Sequence, residues 1–598
     1  MPNAEPPAQR ADRRAQPPPA RARSLAEAFR LAVAEHPDRV AVTADDGELT
    51  YRDLAARAER VAAALRAAGV GADTPVPLIA DPGLDLVVGL VAATLSGGAY
   101  VPVDPAVPEL RIRWLVADCA APVVLATTRT AGFAPDVPAV LIDDPDEVAT
   151  PTPPAPVAGT DLAYVMHTSG PTGAPEGVLV EHRSVLHLFT ATDHRFGFGA
   201  DDVWPLLHSV GFDLSVWELW GALLHGGRLV VVPRAVTRDA RRLHALVTAE
   251  SVTVLNQTPT AFRHFQAAGP TPPSLRAVVL AGEHVDVETL RPWFARHGDT
   301  GPQLVTTYGS TETTVHASCH RLTTADLDAP SVSPIGRPLP GVTFHLAGEE
   351  LFVSGPGVAR GYLNRAARTA RRFVVRDGER TFRTGDRVRP LPDGGFAWLG
   401  RADDQLNVRG HRVEPAEVEA VVNQHPEVEA CLVTTTATTG DPELVAYVVP
   451  PPGVTGDPVW WERLRLEVAG RVAEALPHHL RPHRYLPVAE LPRTRDGEVD
   501  RANPGRTTTQ HLLTQLWREA LNTQTTPTLT DDFATLGGTS ESLRHLLSRV
   551  EHHFGITLPP DTTTADPDEV TIATLAAEVD AHTLAAPHSQ DRAHNHAD

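Results

Sequence analysis

Short apolar runs alternate with longer Ala- and Leu-rich stretches between Ser24 and about Gly400. Runs such as Val76–Ile79, Pro122–Ala126 and Arg228–Val232 have the length and β-branched content of buried strands, whereas the stretches between them have the length of helices. Because strands that alternate with helices build layered sheets, residues 24–400 predict a large α/β domain.

The pattern changes twice after residue 400. Residues 401–505 predict a small α+β domain, residues 507–584 predict a helical bundle, and residues 585–598 predict a disordered polar tail. The predicted helices of the two smaller domains are Glu417–Gln424, Trp460–Ala475, Gln510–Leu521, Ser540–Phe554 and Thr571–Ala581, and the predicted strands are Ala430–Thr436 and Leu444–Val449.

No segment predicts a membrane span or a secretory signal. The longest uncharged stretch, Leu86–Val103, is interrupted by Gly97, Gly98 and Pro102, so we expect a buried helix that runs into a loop. Residues 1–23 are rich in Pro, Ala and Arg without an apolar core, which predicts a disordered arm. We therefore expect a cytoplasmic protein.

The amino-acid composition and net charge limit the classes of binding partner that we expect. The 598 residues are 42% hydrophobic and 21% charged, as in globular proteins, and the net charge of −21 argues against a nucleic-acid partner. All 53 basic residues are Arg, because the sequence contains no Lys. Cys119, Cys319 and Cys431 lie too far apart to suggest a disulfide framework or a zinc site, so we expect buried thiols.

The string Thr168–Gly177 (TSGPTGAPEG) follows an apolar strand, Leu162–Met166. A loop rich in Gly and hydroxyl groups after a strand can wrap phosphate oxygens with backbone N–H groups. On its own such a cluster is more often an ordinary loop.

The phosphate-binding interpretation is favoured by nine further motifs in a fixed order. Together they resemble the adenylation domain of nonribosomal peptide synthetases, a member of the adenylate-forming superfamily. Besides Thr168–Gly177, the motifs that carry the resemblance include Leu49–Leu54 (LTYRDL), Leu95–Asp104 (LSGGAYVPVD), Phe212–Glu218 (FDLSVWE), Tyr308–Glu312 (YGSTE), Glu350–Leu363 (ELFVSGPGVARGYL), Phe382–Asp386 (FRTGD), Gly400–Gly410 (GRADDQLNVRG), Leu476–Pro482 (LPHHLRP) and Asp496–Arg501 (DGEVDR).

The resemblance implies roles for individual residues. Glu312 would hold a magnesium ion, Thr311 would contact phosphate, and Asp403 would be the hinge of the small domain. The implied ATP-binding residues are Thr168, Ser169, Gly170, Thr172, Gly173, Tyr308, Gly309, Asp386 and Arg401.

The resemblance also implies an amino-acid pocket. Asp213 would pair with the α-ammonium group, Trp217 would shorten the cavity, and Asn256 and His316 would hydrogen-bond a side-chain hydroxyl. This set is similar to that of threonine-activating members. The implied pocket residues are Asp213, Leu214, Trp217, Asn256, Val279, Ala281, Thr307, Val315 and His316.

The segment Asp531–Ser540 (DDFATLGGTS) resembles the attachment motif of a phosphopantetheine carrier domain. Ser540, at the start of a predicted helix, would receive 4′-phosphopantetheine from a phosphopantetheinyl transferase, and two preceding glycines would let that enzyme approach. Glu541 stands where relatives carry an apolar residue that meets partner enzymes, so docking to ordinary condensation partners is in doubt.

The sequence departs from the family at its lysines. Glu176 and Glu498 occupy the positions of two phosphate-side lysines, and Asn407 that of a third. An anion about 4 Å from a phosphate charge costs about 4 kcal/mol at an effective dielectric near 20. Arg493 or Arg495 could supply the missing cation from just upstream of Glu498.

Two functions therefore remain open. The first is a working ligase that uses ATP and magnesium to load an amino acid, threonine or a similar small hydroxy amino acid, onto its own carrier. Its further partners would be a small activator protein and a tailoring or condensation enzyme. The second is a catalytically impaired scaffold whose carrier is charged in trans.

Overall fold

The computed structural model describes residues 20, 22–144, 156–328, 333–435, 442–451, 458–488, 490, 491, 499, 501, 508–523, 527, 529, 531–554 and 556–585. Strands and helices alternate through most of this chain, which confirms the α/β class. Among these residues, no helix is both long and apolar enough to cross a membrane.

The first 401 residues contain most of the strands. They are β1 (Val40–Ala44), β2 (Gly47–Thr50), β3 (Pro75–Ile79), β4 (Ala99–Val103), β5 (Val124–Ala126), β6 (Ala139–Leu141), β7 (Leu162–Thr168), β8 (Glu176–Glu181), β9 (Val203–Leu206), β10 (Arg228–Val231), β11 (Val254–Gln257), β12 (Ala277–Leu280), β13 (Gln303–Tyr308), β14 (Ser318–Arg321), β15 (Ser333–Pro338), β16 (Thr343–Ala347), β17 (Glu350–Ser354), β18 (Gly361–Tyr362), β19 (Phe373–Arg376), β20 (Glu379–Pro390) and β21 (Phe396–Arg401).

Helices connect these strands. They are α1 (Leu25–Glu35), α2 (Tyr51–Ala67), α3 (Leu84–Ser96), α4 (Glu109–Cys119), α5 (His182–Phe196), α6 (Leu214–Leu223), α7 (Arg234–Thr237), α8 (Ala240–Ala249), α9 (Pro259–Ala268), α10 (Arg291–His297) and α11 (Ala366–Arg372). Short 3₁₀ turns occur at Ala131–Phe133, Val287–Leu290, Thr311–Thr313 and Thr324–Asp328.

Smaller elements follow. They are β22 (Leu406–Val408), β23 (His411–Val413), α12 (Pro415–Val422), β24 (Ala430–Thr435), β25 (Leu444–Val449), α13 (Pro458–Ala475), a 3₁₀ turn (His478–Leu480), β26 (Arg484–Pro487), α14 (Thr508–Leu521), α15 (Ser540–Phe554), α16 (Pro560–Thr563) and α17 (Ile572–Ala585). The predicted elements after residue 400 are present, with ends that coincide with the prediction or move by at most four residues.

Three sheets organise the strands before Arg401. A seven-stranded sheet has the order β18-β8-β7-β4-β3-β5-β6, and a four-stranded sheet has the order β2-β1-β10-β9. A ten-stranded sheet runs β11-β12-β13-β14-β15-β21-β20-β17-β16, with β19 paired to β20. Beyond them, β22 pairs with β23, and β24, β25 and β26 form a small sheet.

One expectation was wrong. The apolar stretch Leu86–Val103 does not end in a loop, because residues 99–103 form β4, which pairs with β3 along its whole length. Local Gly and Pro signals suggested a loop, but pairing with a neighbouring strand overrides them. Gly98 is needed for this approach, since a Cβ there would lie 2.6 Å from Val70 Cγ1 and 2.8 Å from Val76 Cγ2.

By internal contacts the chain divides into two compact units. The first comprises Met1–Val418, Thr435–Glu443 and Val472–Arg481, and the second comprises Glu419–Thr434, Leu444–Arg471 and Pro482–Asp598. The first unit thus continues past the predicted division at residue 400, which stays a prediction. The predicted arm and tail fall almost entirely outside the described residues.

In the second unit, helices α14, α15 and α17 surround a separate apolar core. The Trp517 and Phe533 rings lie 5.0 Å apart at its centre, and both side chains are fully buried. This core fits the predicted helical bundle. The three cysteines are buried free thiols, as expected.

Candidate active site

A cleft of about 1350 Å³ opens in the first unit at the carboxyl ends of β7, β9, β12 and β13. Residues that follow these strands form its walls, together with the β22–β23 hairpin; they include Ser169, Leu207–Asp213, Ala281–His284 and Gly309–Thr311. Ligands of open α/β sheets bind at the carboxyl ends of the strands. The cleft is therefore the candidate active site.

The predicted phosphate loop leaves β7 and returns in β8. A Cβ on Gly170 would overlap the Ala174 carbonyl oxygen, so only glycine lets the loop fold back on itself. Thr168 and Ser169 line the cleft, and Thr168 Oγ1 is buried without a partner among the described residues. A buried, unpaired hydroxyl at this position is suited to a ligand oxygen.

The other predicted loop residues lie farther from the cleft wall. Gly170, Thr172 and Gly173 are not among its lining residues. Gly173 adopts φ 81° and its N–H donates to the Gly170 carbonyl oxygen at 3.2 Å, which closes the turn. Their predicted contacts with ATP stay predictions.

The Glu176 carboxylate beside the predicted phosphate loop is paired with an arginine. It begins β8 opposite Thr168, its side chain is 2% exposed, and its Oε1 and Oε2 each lie 3.3 Å from Arg368 Nε. Burial raises the pKa of Glu176, and Arg368 acts in the opposite direction. The charge penalty estimated for a free anion therefore does not apply to this ion pair.

Glu312 lies in a buried network beside Glu176. Its Oε1 accepts hydrogen bonds from the Tyr362 hydroxyl at 2.7 Å and from Arg412 Nη1 at 2.8 Å. Burial alone would raise the pKa of Glu312, but the Arg412 guanidinium and the Tyr362 hydroxyl together lower it to about 2. The carboxylate is therefore ionised throughout the physiological range.

The second oxygen of Glu312 fits a magnesium ion. Oε2 is buried and has no partner within the described chain. The same residues contain no group of three or more His, Cys, Asp or Glu that could bind a metal. Magnesium commonly takes one or two carboxylates plus substrate phosphates, so Glu312 is suited to holding the ion together with ATP.

Asp386 is held by three donors. It faces Arg401 in the registered pairing of β20 with β21, and Arg401 Nη1 lies 3.0 Å from Oδ1. Trp398 Nε1 donates to the same oxygen at 2.9 Å, and the Tyr308 hydroxyl donates to Oδ2 at 2.6 Å. Tyr308 and Arg401, two of the implied ATP-binding residues, thus meet at the carboxylate of a third, Asp386, which fixes its orientation.

Arg401 also reaches the predicted hinge. Its Nε and Nη2 lie 2.8 and 2.7 Å from the two oxygens of Asp403, a bidentate pair, and Arg372 Nη1 lies 3.4 Å from Oδ2. A hinge role for Asp403 stays a prediction. Asn407 donates to the Gly282 carbonyl oxygen at the cleft wall.

Asp213 differs from every other buried carboxylate of the described chain, since no Arg or His lies within 4.0 Å of it. Its Oδ2 accepts a hydrogen bond from Thr311 Oγ1 at 2.9 Å. Burial, opposed by that hydrogen bond, raises the pKa of Asp213 to about 6. The other buried carboxylates each have an Arg or His partner. The pairs are Glu176–Arg368, Glu181–Arg360, Asp202–Arg276, Glu218–His208, Glu312–Arg412, Asp386–Arg401, Glu414–Arg412 and Glu417–Arg111.

A strained turn positions His316. Thr314 and Val315 are both β-branched yet adopt φ values of 57° and 67°, a conformation that such residues rarely take. The Thr314 hydroxyl donates to the Gly357 carbonyl oxygen at 2.7 Å, which helps to hold the turn. Burial lowers the pKa of His316 to about 3, and its Nε2 has no partner among the described residues.

The structure divides the predicted pocket residues into two sets. Asp213, Leu214, Ala281, Thr307, Val315 and His316 line the cleft. Trp217, Asn256 and Val279 are buried and do not line it. Trp217 packs against His316, with the two ring centroids 4.9 Å apart. Asn256 of β11 pairs with Val279 of the neighbouring strand β12. Both polar atoms of the Asn256 side chain lack partners within the described residues.

Ser540 is exposed at the first position of α15. Thr539 Oγ1 accepts a hydrogen bond from the Ser542 N–H at 3.3 Å, so Thr539 caps the helix and the Ser540 hydroxyl stays available. A Cβ on Gly538 would overlap the Phe533 ring. Packing therefore gives a reason for this glycine besides access for a transferase.

Sequence reasoning missed several residues of the site: Arg412, Tyr362, Arg368 and Trp398. Arg412 lies two residues beyond the quoted motif that ends at Gly410, and no local pattern links it to Glu312. Arg493, Arg495 and Glu498 lie outside the described residues, so their predicted roles stay predictions.

Comparison with known proteins assigns most of the chain to known families. Family models match as AMP-binding enzyme over residues 29–363, AMP-binding enzyme C-terminal domain over 417–498, and phosphopantetheine attachment site over 511–577. Syringomycin synthase SyrB1 of Pseudomonas syringae pv. syringae is 38% identical over 575 residues, which cover 90% of this chain and 92% of that protein. A dimodular nonribosomal peptide synthase of Bacillus subtilis (strain 168) is 38% identical over 584 residues, 89% of this chain and 24% of that protein.

Solved structures agree with the fold. Holo-PA1221, an NRPS protein containing adenylation and PCP domains, matches with a TM-score of 0.68 and 25% identity over 94% of this chain and 97% of that one. An artificially fused adenylation–PCP di-domain, NpsA-ThdA from Klebsiella oxytoca, matches with a TM-score of 0.69 and 23% identity over 84% and 98%. The chain therefore belongs to the AMP-binding enzyme family, as an ATP-dependent adenylation domain of nonribosomal peptide synthesis joined to a phosphopantetheine carrier domain.

Proposed function

We propose that this chain is a working ligase that activates L-threonine, or a similar small hydroxy amino acid, and loads it onto Ser540. The observation that carries the proposal is the unpaired Asp213 carboxylate. A buried carboxylate without a cation is costly, whereas the α-ammonium group of an amino acid would neutralise it. A bound amino acid would therefore supply the cation that Asp213 lacks.

The first half-reaction needs positioning more than acid–base chemistry. With its ammonium group on Asp213, the amino acid presents an ionised carboxylate, whose oxygen attacks the α-phosphorus as pyrophosphate leaves. Thr168 and Ser169 would orient phosphate oxygens, and Asp386 would orient the ribose. Glu312 would hold magnesium, which neutralises phosphate charge when bound.

The polarity of the pocket supports a neutral hydroxyl side chain. His316 is held neutral by burial, so it does not offer a charge to an acidic side chain. Its Nε2 has no partner among the described residues and can hydrogen-bond a hydroxyl group at the cleft, whereas the unpaired amide of Asn256 does not line the cleft and adds no support. An apolar isostere would leave the His316 nitrogen unpaired, which is how such sites discriminate.

The Glu176–Arg368 pair favours the working ligase over the impaired scaffold. Because Arg368 balances Glu176, the phosphate loop carries no uncompensated anion at that position. Arg368 also lies over the Tyr362 ring, 5.8 Å from its centroid, and the Tyr362 hydroxyl holds Glu312. For the cation lost at Glu498, Arg493 and Arg495 are the proposed replacements.

The proposed partners follow from the loaded carrier. A phosphopantetheinyl transferase would modify Ser540, and a tailoring or condensation enzyme would take up the tethered amino acid. A small activator protein is a further proposed partner.

Asp213 predicts how amino-acid binding depends on pH. Only the ionised carboxylate pairs with an ammonium group, and its pKa in the free protein is raised to about 6. The apparent KM for threonine should therefore rise about tenfold per pH unit below 6 and stay level from pH 7 to 8. Measuring ATP–pyrophosphate exchange against threonine concentration at each pH tests this.

Asp213→Asn supplies the control. It should weaken threonine binding by at least about 100-fold and remove the pH dependence, while the KM for ATP keeps its own profile. A wild-type KM for threonine that stays flat from pH 5 to 8 contradicts the assignment of the ammonium site.

His316 predicts the substrate preference. In exchange assays across the amino acids, threonine should give the highest kcat/KM, and His316→Ala should reduce the threonine-to-valine ratio by about tenfold because one buried hydrogen bond is lost. His284→Ala, at the cleft wall, is the matched control and should leave the ratio unchanged. An aromatic or acidic amino acid as the best substrate would refute the pocket.

The Glu176–Arg368 pair predicts the effect of restoring a lysine. Glu176→Lys should lower both the melting temperature and the exchange rate, because it places an ammonium group beside Arg368 and removes its partner, at a cost of about 2 kcal/mol. The double variant Glu176→Lys with Arg368→Glu should recover most of the melting temperature. If Glu176→Lys alone raises the exchange rate, the result supports the impaired-scaffold hypothesis and shows that Arg368 does not compensate for the charge of Glu176.

Ser540 predicts a single site of modification. Incubation with coenzyme A and a broad phosphopantetheinyl transferase should add one phosphopantetheine to the wild-type protein, as intact-protein mass spectrometry detects. Ser540→Ala should take up none, whereas Ser542→Ala, in the same helical turn, should still be modified. Modification of Ser540→Ala would sink the assignment.

A further inference from the structure

A histidine and a buried glutamate form a pair on the wall of the cleft. His208 lies in the loop after β9, and its Nδ1 is 2.6 Å from Glu218 Oε1. Glu218, in α6, is fully buried, and its Oε2 accepts the backbone N–H groups of Leu207 at 3.0 Å and His208 at 3.1 Å. Three contacts therefore fix the carboxylate, and the carboxylate fixes the imidazole.

This arrangement selects one tautomer. A carboxylate accepts, so a neutral imidazole keeps its proton on Nδ1 and leaves a lone pair on Nε2. His208 lines the cleft with 14% of its side chain exposed, and the described chain offers Nε2 no hydrogen-bond partner. A basic nitrogen is thus presented to the cleft.

Three other histidines at the cleft pack against rings. His411 and His479 stack on each other with centroids 4.5 Å apart, and His316 packs against Trp217. The groups that face His208 are Glu218 from α6, Asp213 from its own loop and His411 from β23. Asp213 is the proposed ammonium site and His208 acts on its charge, so a bound amino acid would lie close to His208.

The two half-reactions differ in their need for a base. Adenylate formation starts from an ionised carboxylate and transfers no proton. Thioester formation starts from a thiol, and an alkyl thiol with a pKa near 8.5 is mostly protonated at pH 7, whereas the thiolate is the nucleophile. A base at the cleft would therefore serve only the second step.

We propose that His208, held by Glu218, is the general base for thioester formation on the carrier. His208 Nε2 takes the thiol proton of the phosphopantetheine on Ser540 as its sulfur bonds to the carbonyl carbon of the aminoacyl adenylate. The bond between that carbon and the phosphate oxygen breaks, and AMP leaves with the electron pair. The proposal rests on the proposed loading function and assigns a residue to its second half.

The test separates the half-reactions. Holo-protein is given synthetic threonyl adenylate, and the rate of thioester formation is followed by rapid quench and intact-protein mass spectrometry; ATP–pyrophosphate exchange is measured separately. His208→Gln should slow transfer by about 100-fold or more, as loss of a general base does, and should slow exchange at least tenfold less than transfer. His320→Gln is the matched control. His320 Nε2 lies 2.7 Å from Asp326 Oδ1, and neither residue lines the cleft.

The pH profile and chemical rescue distinguish a base from a structural residue. The transfer rate of His208→Gln should rise about tenfold per pH unit towards the thiol pKa, because only the thiolate then reacts, whereas the wild-type rate should depend less steeply on pH. Added imidazole should restore transfer in His208→Ala. Glu218→Gln offers one acceptor oxygen where the carboxylate offers two to the His208 ring and to two backbone N–H groups, so it should also slow transfer, but less than His208→Gln does.

The outcomes have separate meanings. Equal losses in both half-reactions, an unchanged pH slope, or no rescue by imidazole would overturn the assignment of His208. Absent exchange together with normal, His208-dependent transfer from the supplied adenylate would overturn only the proposed activation of threonine. A wild-type protein that does not accept the supplied adenylate would overturn both.

Discussion

The structure depends on how a chain without lysine neutralises buried carboxylates. Each buried ionised oxygen needs a partner, because an uncompensated charge in the interior costs several kcal/mol. Among the described residues, arginine supplies nearly all these partners, as at Glu176, Glu312 and Asp386. Arginine keeps its charge when buried and its planar fork fits a carboxylate, so these pairs fix the walls of the site.

Among the described residues, Asp213 is the one buried carboxylate with no Arg or His within 4.0 Å, and it is the most informative. Asp213 lies at the cleft with a single hydroxyl donor, Thr311, and its raised pKa reflects that unmet need. The same logic applies to the unpaired atoms of Thr168, Glu312 and His316. These open groups support the proposal of a ligand with an ammonium group, phosphate oxygens and a small polar side chain.

Much of the fold and part of the site follow from sequence. The helices and strands after residue 400 appear where the apolar pattern puts them, and Asp386 meets Arg401 because their two motifs lie on neighbouring strands. The Glu312–Arg412 and Glu176–Arg368 pairs could not be predicted, because their partners are 100 and 192 residues apart and no local periodicity joins them. The apparent defect at Glu176 was visible in the sequence, but its compensation is a tertiary contact.

The central claim is that this lysine-free chain loads an amino acid onto its own carrier. The most direct measurement is intact-protein mass spectrometry of the holo-protein after incubation with ATP, magnesium and a mixture of the amino acids. The account predicts an added mass equal to a threonyl group, dependent on ATP, released by a thiol nucleophile such as cysteamine and lost in Asp213→Asn. A fully phosphopantetheinylated protein that gains no aminoacyl mass under these conditions would contradict it.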